Sequence, residues 1–185
     1  MTDSSVPTVP GYQVSRMALA DADDWATFAL LPEMLRLTSS TAASVVDLRA
    51  MIERTLSDDA NAPRLFALRE PGSGLLVASF GFHTVSALNK TAEVTYSVRP
   101  EYWGRGLATA MCQAAVGWAF EVRGWVRVQA TTLEAHAASQ RVLAKCGFEL
   151  EGRLRNFRLV RGEPSDYLIY SRVPDASVAG LSSTA

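Results

Sequence analysis

The chain has 185 residues, a formal net charge of -1 at pH 7 and a hydrophobic fraction of 48%, which fits one globular domain with an ordinary core. Its 18 Lys and Arg residues are balanced by 19 Asp and Glu residues, so the composition speaks against direct binding of nucleic acid. No apolar stretch reaches the ~18 residues of a membrane span, and the N-terminus lacks the pattern of a secretion signal. We therefore expect a soluble, cytoplasmic protein with neither a nucleic-acid nor a membrane partner.

The cysteines and the chain ends carry two further predictions. Cys112 and Cys146 fall in helical patterns and form no CxxC pair, which favours packed thiols in a reducing compartment and predicts no metal site. Residues 1–11, rich in Ser, Thr and Pro, and residues 174–185 have the composition of flexible tails. The folded domain is therefore predicted at residues 12–173.

The hydrophobic periodicity predicts seven strands and four helices. A strand near residues 14–19 precedes a helix from Asp21, which Pro32 ends or bends. The next helix has a buried stripe of Val45, Leu48, Ile52 and Leu56. The remaining elements are strands at 64–69, 75–83 and 91–98, a helix from 107, a strand at 126–132, a helix at 137–146 and strands at 148–155 and 166–172. This order predicts an α+β fold with a mixed central β-sheet of about seven strands flanked by about four helices.

A glycine-rich turn, EYWGRGLA at residues 101–108, enters the helix from 107. The first amides of a helix lack backbone partners and carry partial positive charge, so they can bind an anion such as phosphate. Glycines let the backbone approach that anion, and Arg105 adds a cation. An ordinary strand-to-helix turn with glycines at positive φ is the alternative.

Two segments carry a family resemblance. They are AEVTYSVRPEYWGRGLATAM at residues 92–111 and, after a strand, SQRVLAKCGFELEGRLRNF at residues 139–157. Together they resemble the GCN5-related N-acetyltransferase (GNAT) superfamily, within it the RimJ/RimL-like branch of ribosomal-protein N-terminal acetyltransferases. Four features occur in the family's order: the strand ending in Val98, the glycine turn, the SxRVLxKxGF segment, and GxLRN followed by Asp166 and Tyr167.

The resemblance implies that acetyl-coenzyme A (acetyl-CoA) is the cosubstrate. The backbone of the turn would bind its pyrophosphate, through Trp103, Gly104, Arg105, Gly106, Leu107 and Ala108. The sheet would splay between the strand ending near Val98 and the strand at 126–132, with pantetheine in the gap. Two positions depart from the family: Glu101 replaces a usual Gln or Arg, and His136 stands where Asn-x-x-Ser commonly begins. His136 is either a solvent-facing helix cap or a pantetheine contact by substitution.

Amide formation from a thioester needs a neutral amine, a stabilised oxyanion and a proton for the departing thiolate. Glu93 matches the strand carboxylate that acts as general base in histone-acetylating members, with a structural charge at the strand end as the alternative. His83 would lie near Glu93 if their two strands form a regular hairpin. Ser139 matches the serine that protonates or hydrogen-bonds the coenzyme A sulfur in RimL-like members, and a backbone amide near Val98 would meet the oxyanion.

The acceptor amine is the least determined part of this prediction. Its pocket is expected between residues 31–40, the loop after His83 and a loop at residues 160–165, where Glu33 and Glu163 would favour a cationic amine. Three hypotheses remain open. The protein acetylates the N-terminal amine of a peptide or protein by direct transfer in a ternary complex, or it acetylates a small amine such as an amino acid, polyamine or antibiotic, or it is a non-catalytic acyl-CoA-binding module. An acyl donor longer than acetyl and a homodimer also stay open.

Overall fold

The structure, a computed structural model, describes residues 5–175 and contains one mixed sheet of seven strands. The strands are β1 (Gln13–Arg16), β2 (Arg64–Arg69), β3 (Leu76–Ser86), β4 (Thr91–Val98), β5 (Arg127–Leu133), β6 (Glu149–Val160) and β7 (Glu163–Arg172), in the order β1-β2-β3-β4-β5-β7-β6. The helices are α1 (Ala22–Ala29), α2 (Pro32–Leu35), α3 (Val45–Thr55), α4 (Leu107–Glu121) and α5 (Ala137–Lys145). The predicted α+β fold is confirmed, and α2 adds a fifth helix to the four expected.

Local side chains set the boundaries of the N-terminal helices. Pro32, expected to end or bend the first helix, lies in the first turn of α2, where its missing N–H leaves no hydrogen bond unmade. Ser44 caps α3, because its hydroxyl accepts a hydrogen bond from the Asp47 amide while the Asp47 carboxylate accepts one from the Ser44 amide. Leu56 lies beyond the end of α3 and is 53% exposed, so it does not belong to the predicted buried stripe.

Two apolar layers cover the two faces of the sheet. α4 and α5 pack on one face, where Trp118 and Trp125 contact the aromatic side chains of β2 and β3. α1 and α3 cover the other face through Phe28 and Ile52. Burial of each such side chain contributes about 1.5–3 kcal/mol, so the central strands are held firmly from both sides. None of the helices described between residues 5 and 175 is long and apolar enough to cross a membrane.

The N-terminal segment differs from the flexible tail predicted at residues 1–11. Val9 is 2% exposed and belongs to the core under α4, and Val6 packs against the same core. Burial of these apolar side chains holds the described part of the segment on the domain. Residues 1–4 and 176–185 lie outside the described residues, so most of the tail predicted at 174–185 does too.

β4 and β5 run parallel but pair only briefly. Residues 91–93 lie opposite residues 127–129, and within the described chain no strand pairs with this side of β4 from Val94 onward. β5 continues along β7 instead. The predicted splay is therefore confirmed, and the C-terminal half of β4 borders a gap between the two strands.

β6 and β7 form a longer hairpin than the sequence predicts. A two-residue turn joins them at Arg161 and Gly162, whose φ angles of 52° and 86° are typical of a type I′ turn. The loop predicted at residues 160–165 is therefore wrong, because most of it continues the strands. A bulge in β6 shifts the register by two residues, so that Arg158 and not Asn156 lies opposite Ser165.

Candidate active site

The glycine turn has the backbone geometry of an anion cradle. Gly104 and Gly106 have φ angles of 75° and 78°, and a Cβ added to either would meet no atom within 4 Å. Glycine is therefore required here by the backbone conformation, and the space in front of it is open. Gly106 directly precedes α4, so the first amides of α4, from Leu107 onward, have no partner within the helix. These features fit the pyrophosphate group that the resemblance assigns to this turn.

Side chains around the turn contact the protein itself. The Trp103 indole Nε1 donates to the Val98 carbonyl at 2.8 Å. The Arg105 guanidinium donates to the Glu101 carbonyl at 2.9 Å and lies 4.7 Å from the centre of the Tyr102 ring. The turn therefore offers backbone donors to a ligand, and the phosphate contact predicted for Arg105 stays a prediction.

β4 also directs backbone groups into the gap. The Arg99 amide donates to the Val77 carbonyl at 2.9 Å across the ladder with β3. Since bonded and non-bonded pairs alternate in an antiparallel ladder, the amide and carbonyl of the preceding Val98 point away from β3. The indole of Trp103 takes this carbonyl, and the Val98 amide remains directed at the gap. The Val98 amide is therefore not used in the ladder with β3, and its predicted contact with the oxyanion stays a prediction.

Glu93 is a buried carboxylate whose side chain is 6% exposed. It lies on the same face of the sheet as α1 and α3, which cover other strands of that face. It accepts hydrogen bonds from the Thr131 hydroxyl at 2.5 Å, the Gln129 amide at 3.3 Å and the Arg158 guanidinium at 3.2 Å. Burial alone would raise the pKa of Glu93, but contacts from His83, Thr131 and Gln129 outweigh it and lower the pKa to about 2. Glu93 is therefore ionised at neutral pH and already well solvated by the protein.

His83 reaches Glu93 by a different route from the one predicted. The β3–β4 ladder is not a regular hairpin at this point, because the register shifts between Phe82 and Thr84 and leaves His83 as the extra residue of a bulge. His83 Nε2 lies 3.4 Å from Glu93 Oε1, and neither ring nitrogen has a hydrogen-bond partner among the described residues. The bulge therefore brings the two predicted side chains together.

Ser139 pairs with a residue that the sequence analysis missed. The hydroxyl of Tyr96, on β4, lies 2.8 Å from the Ser139 hydroxyl in the first turn of α5. Burial raises the pKa of Tyr96 well above its ordinary value. Tyr96 alternates along the strand with Val94 and Val98, which places the three side chains on one face, and a buried tyrosine hydroxyl usually has a partner. That rule is the signal that could have found this pair.

His136 precedes α5 but does not cap it with its side chain. Its Nδ1 is buried without a hydrogen-bond partner in the part of the chain that the structure describes. Burial, and to a smaller extent the charge of Arg36, lower the pKa of His136. His136 thus lies at the N-cap position of α5, half-buried and without a capping bond from its side chain, and both alternatives, the helix cap and the pantetheine contact, stay predictions.

The β6–β7 hairpin crosses over the segment that follows α2. Arg158 donates to the Ser39 hydroxyl at 3.4 Å, and Arg161 donates to the carbonyls of Leu35 and Arg36. Glu33 and Glu163, the acidic residues predicted to attract a cationic amine, are exposed. Arg158, which the sequence analysis did not consider at this site, thus contacts the buried carboxylate of Glu93 in place of these acidic residues.

Comparison with known proteins agrees with this geometry. The acetyltransferase (GNAT) domain model matches residues 14–149. The uncharacterized N-acetyltransferase YoaA of Bacillus subtilis (strain 168) is 35% identical over 98 residues, which are 53% of this chain and 55% of YoaA, so the chain spans about half the length of that relative.

Two solved structures share the fold. An acetyltransferase from Salmonella typhimurium, described as modifying the N-terminal serine of a 50S ribosomal subunit protein, superposes with a TM-score of 0.80 at 16% identity over 92% of this chain and 99% of its own. The spermidine N-acetyltransferase of Vibrio cholerae, in complex with CoA and spermine, gives 0.78 at 15% identity over 88% and 95%. At these identities they show the shared fold alone.

The splayed sheet beside the N-terminus of α4 is the fold that these acetyltransferase structures share. More narrowly, the chain belongs to the GNAT family of N-acetyltransferases, whose members use acetyl-CoA. The glycine turn, with open space before the α4 amides, fits this cosubstrate.

Proposed function

We propose that the protein transfers the acetyl group of acetyl-CoA to the N-terminal α-amine of a peptide or protein, as the RimJ/RimL-like resemblance suggests. The observation that carries this proposal is the arrangement around β4. The Tyr96–Ser139 hydroxyl pair lies on one face, Glu93 lies on the other, and the strand between them leaves β5 directly after Glu93. Acceptor and donor groups can therefore meet across a single strand.

Each group has a distinct task in this proposal. Acetyl-CoA supplies a thioester whose carbonyl carbon an amine attacks. The Val98 amide is a fixed donor for the carbonyl oxygen as negative charge develops on it. The Ser139 hydroxyl, which the Tyr96 hydroxyl orients, donates a proton to the departing sulfur, and water restores this proton after coenzyme A leaves. Glu93 holds the acceptor ammonium and orients His83. The imidazole of His83 then takes up the proton that the ammonium loses, which is a usual role of this side chain.

The contacts of Glu93 favour an α-amine over a side-chain amine. With a pKa of about 2, its carboxylate is a weak base and cannot readily deprotonate a strongly basic amine. An α-amine has an ordinary pKa of about 8, so about a tenth of it is neutral at pH 7, against roughly one part in 2,500 for a lysine-type amine of pKa ~10.4. An acceptor that loses its proton easily suits this site best.

Free amino acids also offer an α-amine, which their own carboxylate makes more basic than a peptide N-terminus, and they form the second candidate. The non-catalytic binding module is less well supported, because Glu93 and Ser139 both have partners that would orient them for transfer.

The first experiment measures binding and then locates the product. Calorimetric titration should show saturable binding of acetyl-CoA, with ATP as a control. The protein is then incubated with acetyl-CoA and a peptide that has a free N-terminus and an internal lysine. The same peptide with a blocked N-terminus, free serine and spermidine serve as comparisons. Mass spectrometry should place the acetyl group on the α-amine. Preferential acetylation of the lysine or of spermidine would overturn the proposal.

A further inference from the structure

Arg158 contacts Oε1 of Glu93, and Glu93 is the carboxylate that the acceptor amine reaches in the proposed function. Its guanidinium lies 3.2 Å from Glu93 Oε1 and donates to the Ser39 hydroxyl at 3.4 Å. Its Cζ lies 4.9 Å from the centre of the Phe157 ring and 5.6 Å from that of the Tyr167 ring. Stacking against two rings fixes the plane of the guanidinium, so Arg158 is held in place above Glu93.

The two segments that meet at Arg158 carry two further arginines as well as the exposed Glu33 and Glu163. Arg36 lies close enough to His136 to influence its protonation, and Arg161 donates to backbone carbonyls. Within residues 5–175, no ion pair joins Arg36 or Arg161 to a carboxylate. His83 also faces Glu93, which is the single buried carboxylate of the group. A second cation entering without an anion would therefore meet repulsion.

An ammonium group that binds Glu93 at Oε1, the oxygen that Thr131 and Arg158 contact, competes with Arg158 for that oxygen. The ammonium displaces Arg158 from the carboxylate, and a half-buried guanidinium that loses its anion is costly. An acceptor that carries its own carboxylate removes this cost, because its ammonium binds Glu93 while its carboxylate binds the released guanidinium. A polyamine has no such group and adds further positive charge.

We propose that Arg158 is a specificity-determining residue that binds a carboxylate carried by the acceptor close to its reactive amine. The planar fork of a guanidinium suits two-point binding of a carboxylate. This inference rests on the proposed acetylation of an α-amine and adds the acceptor class. The carboxylate belongs either to an acidic residue next to the N-terminus of a peptide or to a free amino acid.

The test compares acceptors that differ only in that carboxylate. The first pair is seryl-aspartate and seryl-asparagine, both amidated at the C-terminus, so that only the Asp side chain carries a carboxylate. The second pair is free serine and serinamide. Values of kcat/KM are measured by thiol release for the wild type and for Arg158→Gln, Arg158→Lys and Arg155→Gln. Arg155 is exposed on the same strand and makes the matched control for loss of one charge. Calorimetric titration of the same acceptors into protein saturated with coenzyme A gives a readout independent of turnover.

The wild type should prefer the carboxylate-bearing member of one pair by ~10–100-fold, as expected for a charge-assisted hydrogen bond. Arg158→Gln should reduce this preference to within about threefold, chiefly through KM, whereas Arg158→Lys keeps part of it and Arg155→Gln all of it. A preference confined to free serine would support the role of Arg158 and overturn the peptide acceptor. Acetylation of both dipeptides with equal efficiency, together with no preference for free serine over serinamide, would keep the proposed function and overturn this inference, as would an unchanged preference in Arg158→Gln.

Discussion

The coenzyme side and the acceptor side of β4 are built in different ways. The coenzyme side consists of the glycine turn, the start of α4 and the Val98 amide, and it offers mainly backbone groups. The acceptor side consists of side chains that converge on Glu93 from β3, β5 and β6. One side therefore depends on backbone conformation, and the other depends on which side chains a bulge or a register shift brings together.

This difference has a consequence for specificity. A backbone cradle recognises a phosphate whatever side chains surround it, so the departures at Glu101 and His136 need not change the coenzyme. A cluster of side chains changes its charge with every substitution. We therefore expect substitutions on the two sides to separate coenzyme binding from acceptor choice.

The largest effect is expected for Gly106→Val. Valine at a φ of 78° is strained by about 1–2 kcal/mol, and its side chain would extend into the space in front of the α4 amides. We expect affinity for acetyl-CoA to fall at least ~100-fold, the equivalent of one or two charge-assisted hydrogen bonds, as measured by calorimetry. Gly72→Val is the matched control, since Gly72 has a φ of 86° and similarly open surroundings in the β2–β3 turn. Equal affinity of the two variants would show that the turn does not face phosphate.

Glu93→Gln should act on turnover and leave coenzyme binding intact. The amide keeps the size of the side chain but removes the charge that holds an ammonium and orients His83. A fall in kcat of ~100–1,000-fold is expected, the usual range for acid–base groups, with unchanged calorimetric affinity for acetyl-CoA. Glu134→Gln removes a carboxylate paired with Arg153 away from this cluster and should change kcat little. Full activity of Glu93→Gln would show that Glu93 is only a structural charge.

The same carboxylate should make the fold sensitive to acid. The pKa of Glu93 is lowered from 4.5 to about 2, so its contacts stabilise the folded state above pH ~4.5 and this stabilisation is lost as the pH falls toward 2. The full shift corresponds to roughly 3 kcal/mol. Denaturant unfolding of the wild type and Glu93→Gln should show a difference in the free energy of unfolding that is largest near pH 7 and narrows below pH ~4.5. A difference that is independent of pH would contradict the lowered pKa.

Tyr96→Phe and Ser139→Ala should each lower kcat by ~10–30-fold, a smaller effect because water can replace a hydroxyl as proton donor. Since the two hydroxyls share a 2.8 Å hydrogen bond, the double variant should lose less than the product of the two single losses. Tyr170→Phe changes a tyrosine outside this pair and serves as the control. Fully multiplicative losses would show that the two hydroxyls act separately.

The sequence predicts the coenzyme side better than the acceptor side for physical reasons. A turn that needs positive φ favours glycine, and glycine is visible in the sequence. The alternation of side chains between the two faces of β4 is likewise a local pattern. The bulge that turns His83 toward Glu93 and the register shift that places Arg158 opposite Ser165 depend on how two neighbouring strands pair, which the alternation of apolar and polar residues does not specify. The sequence does not predict the type I′ turn at Gly162 either, because Arg161 occupies the first position, where Asn, Asp or Gly is usual. Each missed feature depends on turn or pairing geometry that hydrophobic alternation does not specify.

The smallest effect is expected for Arg105→Ala, although a cation beside the glycine turn suggests a direct phosphate contact. Its guanidinium donates to the Glu101 carbonyl and stacks on Tyr102, so it acts on a bound phosphate only through an exposed, solvent-screened charge. We expect less than ~3-fold loss of acetyl-CoA affinity, and this loss should shrink further as salt is raised from 0.05 to 0.5 M. Arg123→Ala, which removes a cation stacked on Trp118 and Trp125, controls for the change in net charge. A loss that exceeds tenfold and persists at high salt would show that Arg105 turns toward the phosphate when acetyl-CoA binds, and the coenzyme side would then depend on a side chain as well as on its backbone.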